Sequence, residues 1–182
     1  MAFSVANFRD NLQFGGARPS LFEVQVTDPG LGIGLNVNKF AFSCKAAQLP
    51  ESTIGVIEVP YFGRTVKVAG DRTFAEWTVT IINDEDFNVY DAHMRWMDRI
   101  ASHQQNAAQR VGGATSDPTS YTSDAFVRHY AKDGGTIQAV NIRNMFPVNV
   151  SAIDLAWETV DTIEEFTVTY QFDWFDIAGV TT

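Results

Sequence analysis

The side chains with chemistry to offer are few: three histidines, one cysteine, a glycine triplet and a short run of acids. His93 and His103 stand ten residues apart. A helical metal pair needs ligands three or four apart, so that both imidazoles share one face. His129 lies between Arg128 and Tyr130 in a strand-like pattern. All three read as surface histidines or satisfied ones. Cys44 has no nucleophile signature around it and reads as a buried packing residue. As the lone cysteine it excludes an internal disulfide and a cysteine-rich metal site, and it fits assembly in a reducing compartment. Gly30, Gly32 and Gly34 superficially suggest a phosphate-binding loop. Such a loop presents backbone N–H groups at a helix N-terminus. No helix pattern is read after it, so a flexible loop is expected. Asp84, Glu85 and Asp86 could gather a cation, but read better as the cap and first-turn charge of a helix. There is no triad, phosphate loop or carboxylate dyad. The expectation is a protein without catalytic residues, cofactor or metal.

The elements that must position these side chains are mostly strands. Residues 21–26 alternate, with Phe22, Val24 and Val26 on one side. Asp28-Pro29-Gly30 turns the chain, and an apolar run follows at 40–44. Residues 54–60 and 64–68 read as two short strands around a turn at Phe62-Gly63. The whole excursion, 46–72, is long for a connection, and long excursions are often interfacial. Residues 76–81 alternate again, with Trp77, Val79 and Ile81 together. The period then changes. Phe87, Tyr90, Met94, Met97 and Ala101 recur at spacings of three and four, which predicts one amphipathic helix over 84–104. Residues 111–123 read as a loop. Strands follow at 125–131, 135–143, 148–158 and 165–175, with a bulge expected near Ser151 and Ala152, where the alternation slips by one. In the last strand Phe166, Val168, Tyr170, Phe172 and Trp174 share a face. The expected fold is mainly β: a sandwich or barrel of about seven or eight antiparallel strands with one α-helix and a long extended hairpin. It forms a single domain over 1–182, with 1–19 as an N-terminal arm.

Composition narrows the function classes. With 182 residues, one core suffices without staples. The 13% aromatic share favours sheets and large interfaces. A net charge of −9 is a poor basis for gripping nucleic acid, because that attraction comes from Lys and Arg neutralising phosphates. The polar face Glu165, Thr167, Thr169, Gln171 and Asp173 can face bulk water or line a wet, acidic channel. Residues 1–10 lack the marks of a signal peptide, and no apolar run approaches the ~20 residues of a membrane helix. A hydrolase or binding module on a β-sandwich would need a concave apolar pocket with perturbed titratable groups, and no residues are found for one.

The stretch from Pro60 through Ala69-Gly-Asp-Arg-Thr-Phe74 and Trp77 to Asn83-Asp-Glu85 resembles the tail tube proteins of T-even-type contractile-tailed bacteriophages. The likeness continues in order through Arg18-Pro-Ser-Leu-Phe22, Cys44-Lys-Ala46, Leu49-Pro50, Val127-Arg-His-Tyr-Ala131, Phe146-Pro-Val-Asn-Val150 and Glu165-Phe-Thr-Val-Thr169. Residues 28–37 look like a glycine-rich surface insertion relative to that family, and 176–182 like a slightly longer tail. The resemblance implies six-membered rings stacked inside a contractile sheath, each subunit giving strands to a continuous barrel around a lumen. It implies a virion tail protein, assembled in the host bacterial cytoplasm. The partners implied are further copies of the chain, the sheath, the baseplate, the tail terminator and a tape-measure protein in the lumen. Genomic DNA would pass without sequence-specific binding, and the subunit would not insert into a membrane. It places 46–72 against neighbouring subunits and the next ring, with Ile54, Val56, Tyr61, Phe62, Arg64, Asp71 and Arg72 as contact residues. Acids lining the lumen would repel phosphates so that DNA slides; the candidates are Glu165 and Asp173, with Glu76 and Asp154 behind them. A tube subunit of a related machine, a contractile bacteriocin or a secretion-type needle, is the alternative.

Overall fold

The computed structural model describes residues 16–103 and 121–178. Most of the expected arm at 1–19, most of the expected loop at 111–123 and the last four residues lie outside them.

Strands β1 (Phe22–Val26), β2 (Cys44–Ala47), β5 (Trp77–Ile82), β6 (Ser123–Tyr130), β7 (Thr136–Val150), β8 (Glu165–Gln171) and β9 (Trp174–Ile177) form one sheet. Its order is β1-β6-β7-β8-β5-β2, with β9 beside β7. All described pairings are antiparallel. β7 carries the sheet around the core. Its first part pairs with β6 and β9, and its end pairs with β8. At the bend Asn144 sits at φ 54°, where its N–H donates to Asp124 Oδ1 at 3.2 Å. Arg143 donates to the same carboxylate at 2.6 Å. The fold is thus a half-rolled sandwich, and β3 (Ser52–Tyr61) with β4 (Arg64–Phe74) form a separate two-stranded sheet.

Alternation sets which face is buried. Trp77, Val79 and Ile81 stand opposite Tyr170, Val168 and Phe166, all buried, while Thr78 and Thr80 stand opposite Thr169 and Thr167 on the other face. The large aromatics bring polar tips into the core, and each tip finds a partner, as burial demands. Trp77 Nε1 donates to the Gln48 carbonyl at 2.7 Å, and Trp96 Nε1 to that of Tyr121 at 2.8 Å.

Two helices are described where one was expected. Helix α1 (Val37–Ser43) is the apolar run at 40–44. The Asn36 side chain caps it by accepting from Lys39 N–H at 3.1 Å, and Phe40 is its buried residue. The helix does follow the glycine triplet, but its N-terminus is already occupied by that cap. Nor do residues 28–37 lie wholly at the surface. Gly30, Gly32 and Gly34 all take positive φ, a conformation that costs glycine little. Between them Leu31, Ile33 and Leu35 are buried in the core. The segment is a partly buried strap, and α1 packs against β1, β2 and β5 beside it.

Helix α2 (Asn88–Ile100) is shorter than the expected 84–104 and is rotated from the expected face. Val89, Ala92, His93 and Trp96 form the buried stripe, whereas Phe87 is exposed. The stripe takes in a histidine, which a purely apolar pattern passes over. Phe87 at φ 50° is the cap residue and supplies no side-chain bond. The acids before it do not cap in the expected way. Asp84 and Asp86 clasp Lys39 at 2.6 and 2.5 Å, which ties α2 to α1, and Asp86 also accepts from Asn88 N–H at 3.0 Å.

Three strand boundaries also differ. The expected strands 135–143 and 148–158 are one strand, β7, ending at Val150. Its register shift towards β8 lies between Pro147 and Asn149, because Pro147 cannot donate to the ladder. Residues 151–164 form neither helix nor strand. The expected strand 165–175 breaks at Phe172 and Asp173, so Trp174 leaves the buried face and starts β9. The hairpin strands are longer than expected, ten and eleven residues.

Candidate assembly surfaces

The hairpin β3–β4 has few apolar contacts of its own to stabilise it. Its tip is a two-residue turn with Phe62 at φ 43° and Gly63 at φ 79°, the left-handed pair that matches strand twist. Register places Ile57 opposite Val68, Val59 opposite Val66 and Tyr61 opposite Arg64 on one face. The other face carries Val56 with Ala69, Pro60 with Thr65, and the ion pair Glu58–Lys67 at 3.6 Å. Every residue from Ser52 to Ala69 is exposed. This ladder of β-branched pairs is open to water, and an isolated two-stranded hairpin is marginal there. At the base, the register shifts between Ile54 and Val56, where Gly70 crosses Gly55. A Cβ on Gly70 would meet the Gly55 carbonyl oxygen at 3.1 Å. Phe74 anchors the base against Phe172 and Phe175, with ring centroids 5.7 and 5.5 Å apart.

The sequence-derived contact residues are all exposed, on different parts of this hairpin. Tyr61 and Arg64 share the apolar ladder's face, Phe62 caps the tip at 91% exposure, and Ile54, opposite Arg72, lies below the register shift with Asp71. Val56 sits on the mixed face. Ile57, Val59, Val66 and Val68 form the ladder's centre and were missed. Cross-pairing the two strands about Phe62-Gly63 would have grouped them.

A second apolar surface is the irregular segment 151–164, where Leu155, Trp157, Val160 and Ile163 are exposed, Trp157 fully. Sequence reading missed it by assigning strand to 148–158. It joins the sheet at Glu165, opposite Ile82, the far end of β5 from the hairpin's attachment at Trp77.

The polar face of β5 and β8 holds the expected acids only in part. Thr78 and Thr169 hydroxyls lie 3.5 Å apart, and Gln171 donates to Glu76 at 3.1 Å. Glu165 begins the same face but is paired with Lys45 at 2.5 Å. Asp173 lies at the break after β8 and accepts from Asn144 Nδ2 at 2.8 Å. Asp154 lies in the exposed segment 151–164.

The groups with reactive potential are quenched. His93 is fully buried between α2 and the sheet. Its Nδ1–H donates to the Val89 carbonyl at 2.7 Å, so its Nε2 accepts from the Tyr170 hydroxyl at 2.6 Å. Burial lowers its pKa to about 4 and raises that of Tyr170 well above its usual value. Burial also pushes the Cys44 thiol up to about 12, far from a reactive thiolate. His129 Nε2 meets the Arg18 carbonyl at 2.6 Å, and His103 pairs with Asp98 at 2.8 Å. A groove beside β1 and β6 is lined by Arg18, Leu21, Tyr130 and Ile137. The Tyr130 phenol there donates to Glu23, whose carboxylate raises its pKa. Among the described residues no group of three His, Cys, Asp or Glu is placed to hold a metal ion. No described helix is long and apolar enough to cross a membrane.

Residues 17–178 match the family described as phage tail tube protein. Over 163 residues the chain is 37% identical to the tail tube protein gp19 of Enterobacteria phage T4, covering 88% of this chain and 91% of that one. The fold is similar to that of the tube-terminating cap of the anti-feeding prophage, with a TM-score of 0.64 at 17% identity over 91% and 92% of the two chains. It is also similar to a chain of the sheath–tube complex of an extracellular contractile injection system, with a TM-score of 0.59 at 14% identity over 98% and 100%.

Proposed function

The chain belongs to the phage tail tube protein family and is a structural subunit of a tail tube; on that premise we propose that it forms six-membered rings, stacked inside a contractile sheath, that enclose the path of DNA into the host. The observation that carries the reading is the β3–β4 hairpin, whose apolar ladder has no covering element among the described residues. A tube subunit needs such an arm. Copies of the chain would cover it, as would the partners at each end of the tube. By the same reading the subunit meets the sheath along the tube and the baseplate and terminator at its ends. A tape-measure protein fills the lumen before DNA does. Assembly takes place in the bacterial cytoplasm and the product resides in the virion tail.

The role requires no catalysis. Binding surfaces and a smooth wall are enough. The Thr-rich face of β5 and β8, with Glu76 and Glu165, is the proposed lumenal wall, and Asp173 and Asp154 lie at its margins. Lys45 is the basic partner on that wall and it is already paired with Glu165. With Lys45 paired, the described residues of β5 and β8 on that wall offer phosphates no counter-charge, so DNA slides past. The sequence relationship to a phage protein favours DNA as the cargo over the protein cargo of related injection machines.

Electron microscopy of the purified protein at high concentration tests this directly. Hollow tubes or six-fold rings are expected. Dispersed subunits that form no tube even on added baseplate would overturn the reading.

A further inference from the structure

Resting on the tube reading, we infer that the groove beside β1 and β6 receives the Trp157 turn of a neighbouring copy. The groove has a volume of about 700 Å³, within the range of pockets that take a bulky apolar group. Its floor comes from three neighbouring strand ends. Leu21 precedes β1, and its carbonyl accepts from the Tyr130 N–H, at the end of β6, at 2.8 Å. Ile137, the second residue of β7, is 50% exposed. The rim is polar, with Arg18, Lys132 and Asp133. His129 Nε2–H donates to the Arg18 carbonyl at 2.6 Å and holds that part of the rim against β6. The Asp133 carboxylate accepts from the Gly135 N–H at 3.1 Å. Among the described residues neither Arg18 nor Lys132 has an ion-pair partner. The groove is thus apolar below and cationic at its edge.

Its complement follows the other end of β7. The strand runs from the groove to Val150, and segment 151–164 begins there. The Thr159 N–H donates to the Ala156 carbonyl at 3.2 Å, closing a turn that carries Trp157 wholly in solvent. Leu155, Val160 and Ile163 extend the exposed apolar surface. Asp154, Glu158 and Asp161 are exposed within the same segment, which holds no lysine or arginine. Exposed apolar patches mark interaction sites, and tryptophan is favoured as the anchor that fills a pocket.

Shape and charge match. An indole knob flanked by acids meets an apolar socket edged by Arg18 and Lys132. The segment against a second copy of itself would set acids against acids, which costs binding energy. Among the described residues both patches are open in one copy, so neither covers the other and the contact joins two copies. It pairs unlike patches and leaves each copy with one of each kind. Such a contact propagates, around a closed ring or along an open stack.

Cross-linking in assembled tubes tests the pairing. Ala17→Cys puts a thiol on the groove wall and Thr159→Cys one beside Trp157, and both leave the apolar and charged contact groups in place. Tubes of the double variant, treated with a short bis-maleimide, should give a ladder of covalent multimers beyond the dimer on a denaturing gel. Each single variant, and the unmodified chain with its natural Cys44, should stay largely monomeric. No ladder from the double variant, or the same ladder from a single one, overturns the pairing. Cross-linking that appears only after residues 1–15 are removed would assign the groove to those residues and overturns it too. Charge reversal gives a second measurement, with folding checked by circular dichroism. Arg18→Glu with Lys132→Glu, and Asp154→Lys with Glu158→Lys, should each lose sedimenting tubes, and the chain carrying all four should regain them. Normal yield from either pair, or no recovery in the four-site chain, overturns the pairing while leaving the tube function intact. Failure of the unmodified chain to form tubes on a baseplate would instead strike the functional reading, and the pairing with it.

Discussion

Acid should destabilise the isolated subunit through one buried side chain, His93. In the folded chain its Nδ1 donates to Val89 and its Nε2 accepts from Tyr170, so the neutral ring fills both roles and no lone pair is left for a proton. Burial holds its pKa at about 4, against 6.5 for an exposed imidazole. The folded value lies below the unfolded one. Stability is therefore full above pH ~6.5 and declines as pH falls towards ~4, where the unfolded chain takes a proton that the folded chain refuses. Linkage converts the gap into about 2 kcal/mol lost between pH 7 and 4.5. The assay is urea unfolding of dilute, unassembled protein across that range, comparing the natural chain with His93→Gln. Glutamine can offer a donor and an acceptor but cannot titrate. The variant should start less stable and lose less on acidification, so the two curves converge by about 2 kcal/mol. Asp84, Asp86 and Asp98, held below the usual carboxylate range by Lys39 and His103, contribute to both chains alike at lower pH. A stability difference that stays constant from pH 7 to 4.5 would refute the buried neutral imidazole.

Further expectations follow from the same geometry. Ile33→Ala, in the glycine-flanked strap, should cost about 2–4 kcal/mol in urea unfolding, the range for a buried aliphatic; a cost under about 1 kcal/mol would make the strap a loose surface loop. Ile57→Lys with Val66→Lys should leave monomer stability within about 0.5 kcal/mol yet abolish sedimenting tubes, and tubes at normal yield would deny the ladder an interfacial role. Glu165→Lys with Asp173→Lys should slow DNA ejection from phage particles and leave tube length unchanged, since it adds unpaired cations beside Lys45. Normal ejection kinetics in that variant would sink the proposed lumenal assignment.

The strands were legible wherever one face is buried and the other wet. β1, β5 and β8 obey strict alternation, and their buried sets, such as Trp77, Val79 and Ile81, could be read directly from the sequence. The hairpin turn was legible because Phe62-Gly63 separates two β-branched runs. Three things were not. α1 is too short to show a period, and only the Asn36 cap marks its start. The buried face of α2 includes His93, whose polarity hides it from an apolar count, although its partner Tyr170 lies 77 residues away. Residues 28–36 are a loop, as their glycines signal, but its burial was hidden: the glycines turn the chain so that Leu31, Ile33 and Leu35 reach the core. The assembly surfaces were half legible. Length betrayed the hairpin, but residues 148–158 alternate like one strand, and only the exposure of Leu155 and Trp157 shows that no sheet receives its second half.

The division of labour between core and arm bears on how growth is controlled. Among the described residues the buried polar side chains Asn83, His93 and Ser123 find partners within the chain, and the seven-stranded sheet makes no ladder with β3–β4. Folding and assembly are therefore separable: changes on the hairpin alter association without unfolding the domain. The hairpin alone has only its own ladder and its Phe74 anchor to hold it, so docking must also order it, and that cost is taken from each contact formed. A lone pair of copies recovers little of it. On the proposed ring assembly, a subunit arriving on a completed ring would meet neighbours that are already ordered, and the same contacts would then bind more tightly. On that proposal, growth on a preformed end is favoured over spontaneous initiation. Seeding dilute subunits with short sheared tubes should therefore shorten the lag in light scattering several-fold, whereas an equal lag with and without seeds would show that the hairpin pays no ordering cost.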